Sequence, residues 1–258
     1  MNRLTNLSYD VIRLLLVVAL VLFLEWICRM GWVQPQVIVP PTVMLTTLWK
    51  LLHSDSMRAD MVITFGAAFK ALVLAVFVGM ILGWLMHRSQ RLRAVLYPLL
   101  ASWYSVPVFA LYPMLIAFMG LNQRPVIAIG VLMSFAAMAL KTLNGLQSIP
   151  VVLTKSALAM GVEKFSFFWH VQLPAALPSL MTGFKLAATY AFIGVIMAEF
   201  ILSPNGLGHA ISYAYNDFDT RTMYALMVLV MLASVSVQWV LIQIERRVLA
   251  HRATLGGL

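Results

Sequence analysis

The sequence is poor in the residues that soluble proteins place on their surfaces. Asp, Glu, Lys and Arg make up only 10% of its 258 residues, whereas 62% are hydrophobic. A water-soluble chain of this length has no single core large enough to hide so much apolar surface. Cysteine is nearly absent as well. With Cys28 alone no disulfide can form within the chain, and Cys28 falls in an apolar run, where it reads as a small buried hydrophobe. Acidic residues are the scarcer charge, 9 against 18 basic ones, for a net charge of +9. In a soluble domain that excess would suggest nucleic acid. Here the basic residues stand between apolar runs, so membrane lipid is the expected contact and no nucleic acid is.

Catalytic signatures are missing too. No Gly-x-x-x-x-Gly-Lys-Ser/Thr phosphate loop occurs, nor any Gly-Lys dipeptide, so this chain does not hydrolyse ATP alone by that chemistry. Neither Gly-x-Ser-Gly nor His-Glu-x-x-His is present, and no aspartates cluster in the apolar runs, which ranks a membrane-embedded enzyme low. His53, His87, His170, His209 and His251 are scattered, and no His-Cys set has metal-ligand spacing. The 17 methionines read as packing or lipid-facing residues. No catalytic residue, metal site or cofactor is expected in this chain.

What the chain does have is a series of apolar runs of roughly 20 residues, each long enough for one bilayer crossing. They predict an all-α integral membrane fold of about six transmembrane helices, forming a single transmembrane domain over 1–258. The expected spans are Leu14 to Val33, Met61 to Met86, Ala94 to Met119, a fourth ending near Leu140, Pro178 to Leu202, and Met223 to Ile244. The first is too long for a cleavable signal, and no small-residue cleavage site follows it. A Pro-rich outer segment, Gln34 to Pro41, precedes Thr42 to Leu52, whose apolar spacing predicts a surface-lying amphipathic helix. Pro98, Pro107 and Pro113 interrupt the third span, and the backbone groups they free require a bundle-facing position.

Charge placement orients the bundle. Arg3 and Arg13 precede the first span, and Arg88, Arg91 and Arg93 separate the second from the third. Lys141, Lys155 and Lys164 lie between the fourth and fifth, and Arg246, Arg247 and Arg252 follow the sixth. The alternate loops hold only Lys50, Arg58, Arg124 and Arg221. Positive residues mark the cytoplasmic side, so both termini are expected inside.

The loop from Lys141 to Leu177 has internal structure. Ile149-Pro150 opens a helical stretch that stops at Gly161. A second stretch, Glu163 to Gln172, presents Phe165, Phe168 and Trp169 among Glu163, Lys164 and His170, and Leu173-Pro174 is expected to end it. Two short helices joined at a glycine make a knob outside the membrane, and exposed aromatics on it suit docking into a groove on another protein.

Gly161, nine residues, Val171, one residue, then Leu173-Pro174 resemble the cytoplasmic loop signature of binding-protein-dependent ABC importer permeases. That signature begins Glu-Ala-Ala; here Lys155 and Ser156 take the first two positions and only Ala157 matches. Other pieces resemble the nitrate, sulfonate, taurine and bicarbonate branch. They are Val39-Pro40-Pro41-Thr42, Ser105-Val106-Pro107, Leu173 to Pro178, Ala198-Glu199 and Gly206-Leu207-Gly208. The branch's His-x-Thr-Leu-x-Arg pattern survives only at Thr64. The resemblance implies an importer core over about 60–247 and a coupling loop over 141–177. It implies ATPase contact through Lys155, Ser156, Ala157, Gly161, Glu163, Lys164, Phe165, Phe168, Leu173 and Pro174. The implied partners are ABC ATPase subunits that bind the ATP and Mg, a second permease copy, and an extracytoplasmic solute-binding protein. The implied cargo is a small water-soluble nutrient, commonly an organic or inorganic anion, with a pyrimidine-type vitamin precursor as the alternative.

Ser105, Pro107, Glu199, Gly206 and Gly208 are the candidates for a pathway or outer gate. Each also has a plainer reading. Intramembrane Glu199, Lys185, Glu25 and Lys70 can fix helix packing through ion pairs or hydrogen bonds, Arg29 and Lys185 can snorkel, and Gly206 and Gly208 can serve a turn. A gradient-driven secondary transporter is the rival class, but it calls for matching halves with paired carboxylates or broken helices, and no internal repeat is visible.

Overall fold

The computed structural model describes residues 2–32, 34 and 37–255. Val33, where the first span is expected to end, and Pro35 and Gln36 of the outer segment lie outside the described residues. So do the side chains of Arg3, Arg13, Lys164, His251 and Arg252. All regular structure among the described residues is helical.

The chain forms two units. The first comprises Met1–Ala59 and Ala210–Leu232. It holds α1 (Asn2–Arg29), α2 (Pro41–Leu52), most of α10 (Leu207–Asn216) and the start of α11 (Thr220–Leu255). Helix α2 begins where Pro40 and Pro41 offer no N–H, so proline sits in the first turn, where a donor has no acceptor within the helix. The first available donor, Thr42 N, reaches Glu25 Oε2 at 3.1 Å, while Thr42 Oγ1 donates to Oε1 at 2.8 Å. Glu25 also accepts from Arg29 Nε at 2.7 Å. A carboxylate at a helix N-terminus is favourable, so Glu25 and Arg29 are packing groups that tie α1 to α2. In the same unit Tyr224 Oη donates to the Val37 carbonyl at 2.7 Å.

The second unit comprises Asp60–His209 and Ala233–Leu258. Its centre is α6 (Gln123–Gln147), laid against α3 (Asp55–Arg88) and α9 (Leu173–Leu202). Small residues let the backbones meet, the usual device where no hydrophobic driving force separates helix from lipid. A Cβ on Gly83 would fall 2.6 Å from the Ala139 carbonyl, and one on Gly194 would fall 3.0 Å from Gly130 Cα. Ser179 Oγ adds a cross-helix bond to the Lys141 carbonyl at 2.8 Å. Just over half of the apolar window of α6 is buried, 56%, against 28% for α3 and 22% for α11. Helix α6 is therefore the core and the other two present wide apolar faces outward. Lys185 pairs with Glu245 of α11 at 2.5 Å, so it is an ion-paired helix contact, while Lys70 is exposed on α3.

Four helices or helical runs among the described residues are long and apolar enough to cross a bilayer: Asp55–Arg88, Gln123–Gln147, Phe165–Asn216 and Thr220–Val248. A bent pair, Gln90–Ser105 with Val108–Met119, makes a fifth if it is one crossing. The count reaches five, against an expectation of about six. Three expected boundaries change. The third span is not one continuous helix: α4 (Gln90–Ser102) and a 3-10 turn end before Pro107, and the chain turns by 89° before it resumes through Val108–Leu111 into α5 (Tyr112–Met119). The residue before a proline is pushed to extended backbone, and Val106 sits at φ −79°, ψ 125°. Pro98 is absorbed within α4 and Pro113 in the first turn of α5. The fourth span runs on to Gln147, seven residues beyond Leu140.

The third change concerns the knob. Helix α7 (Val151–Ala159) is followed by α8 (Lys164–Phe167), but Leu173-Pro174 does not end the second stretch. A π-helical turn, Phe168–Gln172, carries the chain straight into α9. Pro174 then occupies the first turn of α9, where a missing N–H costs little.

Candidate functional site

Two regions of the second unit carry the candidate residues. The first is the knob. Helix α7 stops because Gly161 adopts φ +67°, the left-handed conformation that glycine enters without a Cβ penalty. Val162 N then donates back to the Ala157 carbonyl at 3.1 Å, and Met160 N to Ser156 at 3.0 Å, closing the helix end. The chain restarts with Phe167 N on the Glu163 carbonyl at 2.8 Å. Ala157 is buried at 3% exposure, whereas Lys155, Ser156 and Glu163 are exposed.

Apolar side chains sit on the outside of this knob. Phe165 is 75% exposed and Trp169 50%, and their rings meet edge-on at 6.2 Å between centroids. Phe168, half-buried, packs edge-on to Trp169 at 5.6 Å. Met160 adds a further exposed apolar side chain. Beneath Phe165 and Phe168 opens a cavity of about 500 Å³ lined also by Trp84, Arg88, Phe167 and Gln172. Arg88 lies over the Trp84 ring at 5.8 Å. Leu173 does a different job: it packs against the cluster of Met138, Leu146, Ala176, Leu180 and Ala187, fastening the knob to α6 and α9. Pro174 is half-buried beside it in sequence.

The second region is a polar node around Glu199, a fully buried side chain near the end of α9. Its Oε2 accepts from Thr64 Oγ1 at 2.7 Å and from Gly208 N at 3.1 Å. Thr64 Oγ1 in turn accepts from Leu207 N at 2.8 Å, and Gly206 N donates to Asp60 Oδ1 at 2.9 Å. The end of the turn and the start of α10 are thus clasped by three consecutive backbone N–H groups, those of Gly206 and Leu207 to α3 and that of Gly208 to Glu199 of α9. Gly206 holds φ +107°, and a Cβ there would fall 2.3–2.5 Å from the Glu199 carboxyl atoms. Glycine is required because the backbone passes directly over the carboxylate. Glu199 Oε1 and the hydroxyl of fully buried Tyr112 have no hydrogen-bond partner among the described residues.

The structure therefore brings Glu199, Gly206 and Gly208 together. Ser105 and Pro107 take no part in the hydrogen-bonded node; both are exposed at the bend of the third span. Asp60, Thr64 and Tyr112 are members or neighbours of the node that sequence reasoning did not place there. For Thr64 a signal existed, since it alone survives from the expected pattern at the start of the second span. Asp60 and Tyr112 carried none.

Residues 75–250 match the family described as binding-protein-dependent transport system inner membrane component. The formylaminopyrimidine transport permease protein ThiX of Halalkalibacterium halodurans is 30% identical over 60% of this chain and 62% of its own length, a little under two thirds. The taurine transport system permease protein TauC of Escherichia coli is 27% identical over 83% of this chain and 73% of that protein. A putative aliphatic sulfonates transport permease protein, SsuC of Bacillus subtilis, is 26% identical over 95% and 88%. In three dimensions, a chain of the MetNI methionine ABC transporter in an inward-facing conformation superposes with a TM-score of 0.59 at 22% identity. That match covers 80% of this chain and 96% of the other, a likeness of fold.

Proposed function

The chain belongs to the family of binding-protein-dependent transport system inner membrane components, the permease subunits of ABC importers, and from that premise we propose how it works. It passes a small water-soluble nutrient into the cytoplasm by alternating access, with ATP and Mg bound by separate ATPase subunits. A second permease copy and an extracytoplasmic solute-binding protein complete the assembly, and both termini face the cytoplasm. One observation carries this reading: a two-helix knob, turned at left-handed Gly161, that leaves Phe165 and Trp169 in solvent. Exposed aromatics of this kind are the anchors that protein grooves bury. The coupling residues are Lys155, Ser156, Ala157, Gly161, Glu163, Lys164, Phe165 and Phe168, with Leu173 and Pro174 as the stiff base.

Rigid coupling follows from continuity. Because the π turn joins the knob to α9 without a loop, a push on Phe165 is delivered along α9 to the Glu199 node at its far end. There the turn bearing Gly206 and Gly208 is the outer gate, and ATP binding biases a two-state bundle. Organic or inorganic anions are the favoured cargo, supported by the similarity to TauC and SsuC. The similarity to ThiX supports a pyrimidine-type vitamin precursor as the second reading. Co-purification from mild detergent tests the core of the proposal. An ATPase is expected with the native chain and not with Phe165→Asp; recovery with neither, from folded protein, would overturn it.

A further inference from the structure

A cavity of about 360 Å³ opens between α4 and α6, away from both regions described above. Its lining is mixed and contains no carboxylate: Arg93, Ala94, Tyr97 and Pro98 come from α4, and Leu143, Asn144 and Gln147 from α6. Arg93 and Tyr97 are four residues apart and Asn144 and Gln147 three, so each pair shares one helix face. Two polar pairs, one from each helix, therefore line the cavity together with Leu143, which is buried at 1% exposure. Arg93 is half-buried and has no ion-pair partner among the described residues. A guanidinium so placed is a ready donor for an oxyanion, and the volume lies within the roughly 300–1,000 Å³ usual for small-molecule sites.

The cavity also offers an acceptor. Pro98 lies inside α4 and has no N–H, so the carbonyl four residues earlier lacks its helical bond. That carbonyl belongs to Ala94, which itself lines the cavity. The ring of Tyr97, 47% exposed, adds a surface that attracts cations. A cation beside a carbonyl deprived of its helical donor and an aromatic face suits a ligand carrying an oxyanion and an ammonium a few bonds apart. Arg93 belongs to the basic segment Arg88, Arg91 and Arg93, which marks headgroup level.

We propose that this cavity binds a phosphoethanolamine-type zwitterion, the headgroup of a phospholipid, with Arg93, Asn144 and Gln147 holding the phosphate and the Ala94 carbonyl and Tyr97 ring receiving the ammonium. A free zwitterionic solute has the same chemistry, and the experiment separates the two sources. The full-length protein is exposed to equal amounts of phosphatidylethanolamine and phosphatidylglycerol, and retained lipid is counted by native mass spectrometry. The native chain is expected to hold phosphatidylethanolamine in preference, with retention falling about tenfold in Arg93→Gln. Arg93→Lys is expected to restore most of it, Asn144→Ala to lose less, and Arg91→Gln, which alters a neighbouring exposed cation outside the cavity, to lose none. In a parallel arm, delipidated protein is titrated with free phosphoethanolamine and its melting temperature followed. An Arg93-dependent upward shift without lipid retention assigns the site to a soluble zwitterion. Equal retention by the native chain and Arg93→Gln with no thermal shift overturns the site; indifference between the two lipids overturns its acceptor half. None of these outcomes depends on ATPase recovery, so the site stands or falls apart from the importer reading.

Discussion

The knob and the Glu199 node break opposite rules of protein construction. At the knob, large apolar side chains are left in solvent; at the node, a carboxylate is buried where neighbouring helices offer mostly apolar surface. Phe165 is 75% exposed and Glu199 is not exposed at all. Exposed aromatics cost the isolated chain little stability but leave apolar area unburied, whereas a buried carboxylate is costly unless hydrogen-bonded. The expected consequences differ accordingly. Damage to the node should be read in folding as well as transport, and damage to the knob in partner binding with the fold intact.

The largest effect is expected from Gly206→Ala. The added methyl would fall onto the Glu199 carboxyl group and the backbone would be held at φ +107°. Together these cost about 3 kcal/mol or more, seen as a lower melting temperature and faster proteolysis of the turn that precedes α10. Thr64→Val comes next. It strips the hydroxyl that links Leu207 N to Glu199 and leaves a buried N–H unpaired, for about 2 kcal/mol. Glu199→Gln sharpens the point. If the carboxylate only packs, uptake survives with reduced thermal stability; loss of uptake in a normally assembled complex assigns it to the pathway.

At the knob, Gly161→Val forces a β-branched residue into the left-handed region at φ +67°, a strain of about 1–2 kcal/mol. Nothing lies within 4 Å of a Cβ at Gly161, so no clash adds to it. The strain is expected to stay local: bundle melting changes little while ATP hydrolysis no longer drives uptake. Unchanged coupling in that variant would remove Gly161 from the coupling path. The contrast with Gly206→Ala is the sharper test, since both replace a positive-φ glycine and only one sits over a buried carboxyl group.

How much of this was legible in the sequence depends on the distance over which each feature is determined. Apolar runs and turn residues are local signals, and the helix at Pro41–Leu52, the helix end at Gly161 and the exposure of Phe165 follow from them. Pro107 was legible as an interruption but not as an 89° bend, because a proline shows that a helix ends and not where the chain goes next. The reading of Leu173-Pro174 as a stop failed for a related reason: a π turn just before a proline lets it serve as a first-turn residue. The ion pair of Lys185 with Glu245 joins residues 60 apart, and Thr64 with Glu199 joins residues 135 apart. Only packing of α3, α6 and α9 through their small residues determines which of the few charged and polar groups meet. Glu199 was visible as an anomaly; its partners were not.

The smallest expected effect lies outside both regions and calibrates them. Asp219 precedes α11, and its Oδ1 accepts from Thr222 N at 3.2 Å, the bond of a helix N-cap. Hydrogen bonds from Thr222, the largest cause, hold its carboxyl below the ordinary carboxylate range. Because the folded value is depressed, the contribution to stability is present above the unfolded value of about 3.9 and is lost as the pH falls through the folded one. Asp219→Ala is therefore expected to cost about 1 kcal/mol near neutral pH, the usual worth of such a cap. That difference should shrink toward zero as the solution is acidified below the ordinary carboxylate range, while Asp219→Asn, which keeps the acceptor, shows little loss at any pH. Melting temperatures of the three chains across that range measure it. A gap that stayed constant with pH would mean that the carboxylate charge has no part in the cap, and that α11 is held by its packing alone.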